Sequence, residues 1–221
     1  MAYRTGMRGL SLPKTAFTAG AACLLAAACA FFHAQAPSPA IVSAATDTAP
    51  AYAPNGDMLP PTNYREWIYL SSGIGMSYFP NPTGMTKFDN VFVNPDAYRS
   101  FVATGTWPDK TVMVLEARGA ESKGSINQSG HYQGTDVMGM EVHVKDVARF
   151  PGGWAFFDFA SPAANGKVFP QTASCYSCHQ QHAAVDTTFV QFYPTLLPIA
   201  RDKKTLSDAF LKDEAEQATG K

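Results

Sequence analysis

The run Cys175-Tyr176-Ser177-Cys178-His179 sets two thiols and one imidazole at positions i, i+3 and i+4. On a helical turn these positions share one face, so all three side chains can converge on a single flat cofactor. The chemistry that uses all of them is covalent attachment of one haem c. The cysteines form thioethers with the vinyl groups, and His179 becomes the proximal iron ligand. Two other chemistries use some of the same atoms. A Cys-x-x-Cys redox pair explains the thiols, but it leaves His179 without a role and lacks a thioredoxin-like βαβ setting. A zinc site would take Cys175, Cys178 and His182 and would need a fourth ligand from elsewhere.

The opposite face of the iron decides what such a haem does. Electron carriers fill it with Met or His. Beyond His179 the chain has no methionine, and its one histidine there, His182, lies a turn further along the same helix. A sixth ligand would have to come from Met76, Met85, Met113, Met138, Met140, His131 or His143. Most of these have an ordinary core or surface explanation. The expectation is an open or weakly occupied distal site, and such iron binds small molecules; simple electron transfer is the alternative. An electron-transfer partner is expected either way.

The N-terminus tells where this chemistry takes place. Arg4, Arg8 and Lys14 precede an apolar stretch from Ala16 to Phe32, followed by small residues at Ala34-Gln35-Ala36 and Val42-Ser43-Ala44. This is the layout of a secretory signal peptide, with cleavage preferred at the second site because Pro37 follows the first. A retained anchor, or a lipoprotein signal ending at Cys29, would use the same stretch. Export places the protein in the periplasm and removes Cys23 and Cys29. Cys175 and Cys178 then remain as the pair in the mature chain, and a two-residue gap closes too small a loop for a structural disulfide. Net charge is −1 over 221 residues, with no basic stripe after the leader, so nucleic acid is not an expected partner. No run in the mature region is long enough for a membrane span.

The elements that must position the motif follow from periodicity. Residues 1–45 read as signal and start of a lead-in, 46–60 as flexible lead-in rich in Ala, Pro and Thr, and 61–221 as one haem domain. Thr62 is expected to cap a helix carrying Tyr64, Trp67 and Ile68, and Ser71 to Met85 reads as loop. A short strand at Asn90 to Val93 precedes a helix that starts at Asn94-Pro95, runs to about Ala103 and turns Tyr98, Phe101 and Val102 inward. Strands are expected at Thr111 to Arg118, Val137 to Lys145 and Trp154 to Phe159. In the second, Met138, Met140, Val142 and Val144 alternate with Gly139, Glu141 and His143. Helices around Ser174 to His182 and Leu206 to Glu216 end the chain. The fold class is α+β: an antiparallel β-sheet with flanking helices and a C-terminal haem-attachment helix.

Beyond the haem motif, an ordered set of segments resembles the cytochrome P-460 family. These are Tyr64-Arg65-Glu66-Trp67, Val91-Phe92-Val93-Asn94-Pro95 with Tyr98, Gly139-Met140-Glu141, Val144-Lys145-Asp146, Gly153-Trp154-Ala155-Phe156, Cys175 to His179 and Phe189 to Pro194. The resemblance implies a β-rich homodimer with a five-coordinate c-type haem. Its members include hydroxylamine-oxidising enzymes and the related cytochromes c′-beta, which bind nitric oxide and carbon monoxide. The oxidising members carry a haem-cross-linking lysine just before a glutamate. Here Leu115 stands in that position before Glu116, and Lys110 and Lys123 fall outside the register. Glu141 matches the distal acidic residue and would relay protons, its bland alternative being an exposed carboxylate on a sheet face. Met85 falls near the family's aromatic distal cap. Two activities are thus open: binding or sensing nitric oxide, and oxidoreduction of hydroxylamine or nitric oxide.

Overall fold

A computed structural model describes residues 48–77, 80 and 84–220. The expected signal peptide, with Cys23 and Cys29, lies outside the described residues, as do Tyr78, Phe79 and 81–83 of the expected loop. The described residues belong to one compact unit.

A 3₁₀ turn at Tyr64–Glu66 leads into β1 (Ile68–Ile74) and β2 (Lys87–Val93), then α1 (Pro95–Thr104). There follow β3 (Val112–Glu121), β4 (Tyr132–Lys145), β5 (Trp154–Phe159) and the short β6 (Lys167–Val168). The chain ends with α2 (Ser174–His182), a 3₁₀ turn at Val190–Phe192, α3 (Leu197–Lys203) and α4 (Asp208–Ala218). The strands form one antiparallel meander in chain order, β1 to β6. This is the expected α+β class.

Alternation along the strands divides the sheet into two faces. On one, Val112, Val114, Met140, Val142, Val144, Ala155, Phe157 and Phe159 bury against Met58, Tyr64 and Trp67. On the other, Val93, Met113 and Trp154 meet Ala97 and Phe101 of α1, Trp107, and Ala184 to Leu196 after α2. That second core covers only part of its face. Leu115, Glu141 and Asp158 stand in one row across β3, β4 and β5, outside both cores.

Several expectations are corrected. The helix at Thr62 is a single 3₁₀ turn, after which Ile68 and Tyr69 pair with Val93 and Phe92. Cross-strand packing of aliphatic and aromatic residues outweighs a brief helical spacing. β1 then runs through Gly73 into residues read as loop, and β2 begins at Lys87 rather than Asn90. β3 and β4 extend past their expected ends to Glu121 and back to Tyr132, through Gly119 and Gly134. In the expected apolar face of β4, Met138 is half exposed, because β4 has slipped by a residue against β3 between Val137 and Gly139. The segment read as flexible lead-in is folded from residue 48 onward: Tyr52 and Gly166 both bridge to Met58, which is 1% exposed.

α1 matches its expected start and ends at Gly105, whose φ of 78° closes the helix in the left-handed region. Phe101 is buried and Tyr98 half-buried, but Val102, expected inward, is exposed. Asn94 does not cap. Its side chain donates to Lys110 O at 3.1 Å and accepts from Val112 N at 2.9 Å, joining the start of α1 to β3. The short helix α3 carries no periodic signal in the sequence. α4 starts at Asp208, where Ser207 accepts from Phe210 N at 3.1 Å as its N-cap.

Candidate functional site

α2 lies across the face that carries the uncovered row, and its ends are held by side chains from other elements. Near its start, the Tyr176 hydroxyl donates to Phe169 O and accepts from Phe156 N of β5, both at 3.3 Å. At its end, Gln191 donates to His182 O at 2.8 Å and accepts from Ala184 N at 3.0 Å. Ser207 adds a bond to Ala183 O at 2.6 Å. His182 faces α4, with Nδ1 at 2.6 Å from Asp213 Oδ2, so it is turned to a partner other than the cysteines.

Cys175, Cys178 and His179 are each half-buried, and both thiols are free. Burial raises the Cys175 thiol above its ordinary pKa, and the Glu141 carboxylate adds to the shift. A redox-active pair needs the opposite perturbation, towards thiolate. Among the described residues no group of three His, Cys, Asp or Glu side chains is placed to hold a bare metal ion. The redox and zinc readings therefore lose ground to haem.

His179 is fixed in both orientation and tautomer. Its Nδ1 lies 2.7 Å from Thr187 O. A carbonyl can only accept, so Nδ1 carries the proton and Nε2 keeps its lone pair for a metal. Burial lowers the His179 pKa, which favours that neutral form. The ring sits between Phe189, with centroids 4.1 Å apart, and Phe156, at 4.6 Å edge-on. A haem c fits this donor set: two free thiols and a neutral imidazole with the correct nitrogen available, on one helix beside an uncovered sheet surface.

The distal candidates separate on inspection. Leu115 is half-buried and pairs with Glu141, and Glu141 pairs with Asp158 on β5. Glu141 reaches solvent, yet its carboxyl is raised above the ordinary range, first by the protein surrounding it and then by Asp158 and Asp89, with Lys87 opposing. Glu116 points through the sheet into the opposite core, where it bonds Tyr64, Arg65 and Arg118. Met85 is exposed, and its sulfur would meet a side chain at Gly119, two residues short of the end of β3, rather than at the Leu115 row. Met138 approaches the same glycine.

The other possible sixth ligands are also placed. Met113 and Met140 are buried, one in each core, while Met76 and His131 are exposed. His143 lies with its ring 5.2 Å from that of His179. It therefore neighbours the expected proximal ligand, which removes it from the distal candidates.

Sequence reasoning missed Thr187 and the aromatic walls Phe156 and Phe189 as site residues, and also Asp158 and Lys87 beside Glu141. For Asp158 the signal was its position in a strand opposite Glu141. For Thr187 none existed, since its contribution is a backbone oxygen.

Comparison with known proteins agrees with the geometry. The family model described as Cytochrome P460 matches residues 61–190, more than half of the chain. No curated protein matches it.

Proposed function

Starting from a chain that belongs to the cytochrome P460 family and hence to the haem cytochromes, we propose that it is an exported, periplasmic mono-haem c-type protein that binds or converts small nitrogen–oxygen species such as nitric oxide or hydroxylamine. The observation that supports this reading is the His179–Thr187 O hydrogen bond, which leaves Nε2 free to ligate a metal beside Cys175 and Cys178. When bound, the haem supplies an iron that takes a small ligand and exchanges electrons. The residues of this chain divide the remaining work. Cys175 and Cys178 would anchor the group covalently, His179 would ligate its iron, and Leu115 would present a hydrocarbon surface to a bound ligand. Leu115 has no nucleophilic nitrogen, so the lysine–haem cross-link of the hydroxylamine oxidisers is not formed. Met85, exposed at the far end of β3, would at most edge the distal opening.

Glu141, paired with Leu115 and Asp158, is the carboxylate we assign to exchange a proton with a ligand. Its carboxyl is raised by the surrounding protein and by Asp158, and a positioned acid or base of this kind is what proton-coupled conversion would use. The domain at 61–221 is read as acting in a homodimer, with a separate electron-transfer partner. No helix among the described residues is long and apolar enough to cross a membrane.

The test of attachment is direct. Changing both Cys175 and Cys178 to Ala should abolish haem staining after denaturing electrophoresis, and retained staining would sink the reading. Steady-state oxidation of hydroxylamine with an electron acceptor then separates conversion from binding.

A further inference from the structure

The turn at residues 185–188 is held at three successive side chains, two of them by β4 and one by Trp107. Val185 and Thr188 pair as an isolated bridge, with Thr188 N donating to Val185 O at 2.9 Å and Asp186 at a φ of 52°. Asp186 accepts from Lys145 Nζ at 3.1 Å, and the same ammonium donates to Trp107 O at 2.8 Å. Thr188 Oγ1 accepts from Trp107 Nε1 at 2.7 Å. Between them, Thr187 Oγ1 shares a hydrogen bond with His143 Nε2 at 3.2 Å. Thr187 is also the residue whose carbonyl receives the His179 Nδ1 proton.

His143 is 8% exposed, stacked on Phe156 at 4.0 Å and 11°, and close to Trp154 at 4.3 Å. A buried imidazole in so apolar a setting is costly unless its polar atoms are used. Here one nitrogen is used on the residue that orients the proximal ligand. His143 and Lys145 are alternate residues of β4, so one strand face grips two consecutive positions of the turn.

We propose that His143 is a positioning residue for the proximal side of the haem: by holding Thr187, it fixes the hydrogen bond from His179 Nδ1 and thereby the basicity and orientation of the axial imidazole. The physical basis is general. A proximal histidine that donates firmly from its outer nitrogen is a stronger ligand, which favours the oxidised iron and strengthens the iron–nitrogen bond. The inference rests on the haem reading above and concerns a different residue set from the distal ligand chemistry.

The experiment uses the full, haem-loaded chain and reads the ferrous iron–histidine stretching band by resonance Raman, together with the midpoint potential. His143→Phe keeps a ring on Phe156 and removes the bond to Thr187. It should lower the band frequency or broaden it and raise the potential. Thr187→Val, at a half-buried position, removes the hydroxyl while leaving the carbonyl and should move both readouts the same way. His143→Gln and Thr187→Ser each restore a hydrogen-bonding atom and should recover much of the wild-type band. The proposal is overturned if the band and potential are unchanged in haem-loaded Thr187→Val. It is equally overturned if His143→Gln and His143→Phe shift them alike, which would reduce His143 to core packing. Should His143→Phe fail to fold, the Thr187 pair decides. Wild-type protein without covalent haem would instead refute the haem reading, and staining distinguishes that outcome at the start.

Discussion

Glu141 and Leu115 pair across β3 and β4, in the row proposed above as the distal side. A raised carboxyl remains protonated to higher pH than an ordinary glutamate. After the surrounding protein, Asp158 is the largest cause of that shift. Asp158→Asn removes a like charge and should lower the Glu141 pKa. Any activity limb that requires the Glu141 carboxylate then moves to lower pH, while one that requires the acid narrows from above. The pH profile of turnover in this variant checks the sign, and a profile that does not move would remove Asp158 from the site. Glu141→Gln should slow proton-coupled turnover by roughly a hundredfold or more while leaving haem incorporation intact. Leu115 makes its own prediction. Proteolysis of the holoprotein should yield haem only on the peptide containing Cys175 to His179, and haem on a β3 peptide would contradict the assignment. Leu115→Lys is the reverse substitution, and whether a cross-link follows depends on the nitrogen reaching the ring in a reactive geometry.

At the scale of elements, β3 joins the two faces by placing Leu115 on one and Glu116 on the other. Glu116 is 2% exposed. Burial alone would raise its pKa, but Arg118, Tyr64 and Arg65 together hold it below the ordinary glutamate range. In return, burial and Glu116 push the Tyr64 hydroxyl up to about 12. Arg65 is half in solvent and adds little, whereas Arg118 is mostly buried. Arg118 also donates to Gly134 O and Thr135 O, tying the β3–β4 hairpin to the same carboxylate. Glu116→Ala strands these partners and should destabilise the fold by about 3–5 kcal/mol, measured by denaturant unfolding. A loss no larger than that of a surface change would mean the network relaxes to solvent. Ser207 acts between helices, capping α4 while bonding the residue that ends α2. Ser207→Ala should cost about 1 kcal/mol, visible as a lower unfolding midpoint.

For the whole molecule, the depressed Glu116 pKa has a defined sign. Its contribution to stability is fully present above the unfolded glutamate value of about 4.3, and it is lost as pH falls through the lower folded value. Glu141 is shifted the other way, so its effect on stability is unfavourable at neutral pH and is relieved as pH falls through its folded value. Between about pH 5 and pH 2 the wild type should therefore lose more stability than Glu116→Gln does over the same interval. Parallel acid titrations of unfolding free energy test this, and equal slopes would place the acid sensitivity elsewhere. The two cores meet across one sheet, so such losses should appear as one cooperative transition.

The haem motif and the family were legible in the residues because both are local or ordered along the chain. Cys175, Cys178 and His179 need only one helical turn to converge, and α2 forms over the expected Ser174–His182. Alternation in β4 likewise foretold that Glu141 and His143 share a face while Met140, Val142 and Val144 are buried. What alternation could not tell is where along that face the covering helices stop. Tertiary packing covers His143 and leaves Glu141 reaching solvent, two residues apart on the same strand. That boundary turned His143 from a possible distal ligand into a neighbour of His179. Long-range pairing also overrode local spacing at Ile68 to Ile74, where the partner strand lies beyond a Gly- and Pro-rich stretch. The tautomer of His179 depends on a carbonyl eight residues away, and every residue type carries a carbonyl. No composition or period can mark such an atom, because its role comes only from where the fold puts it.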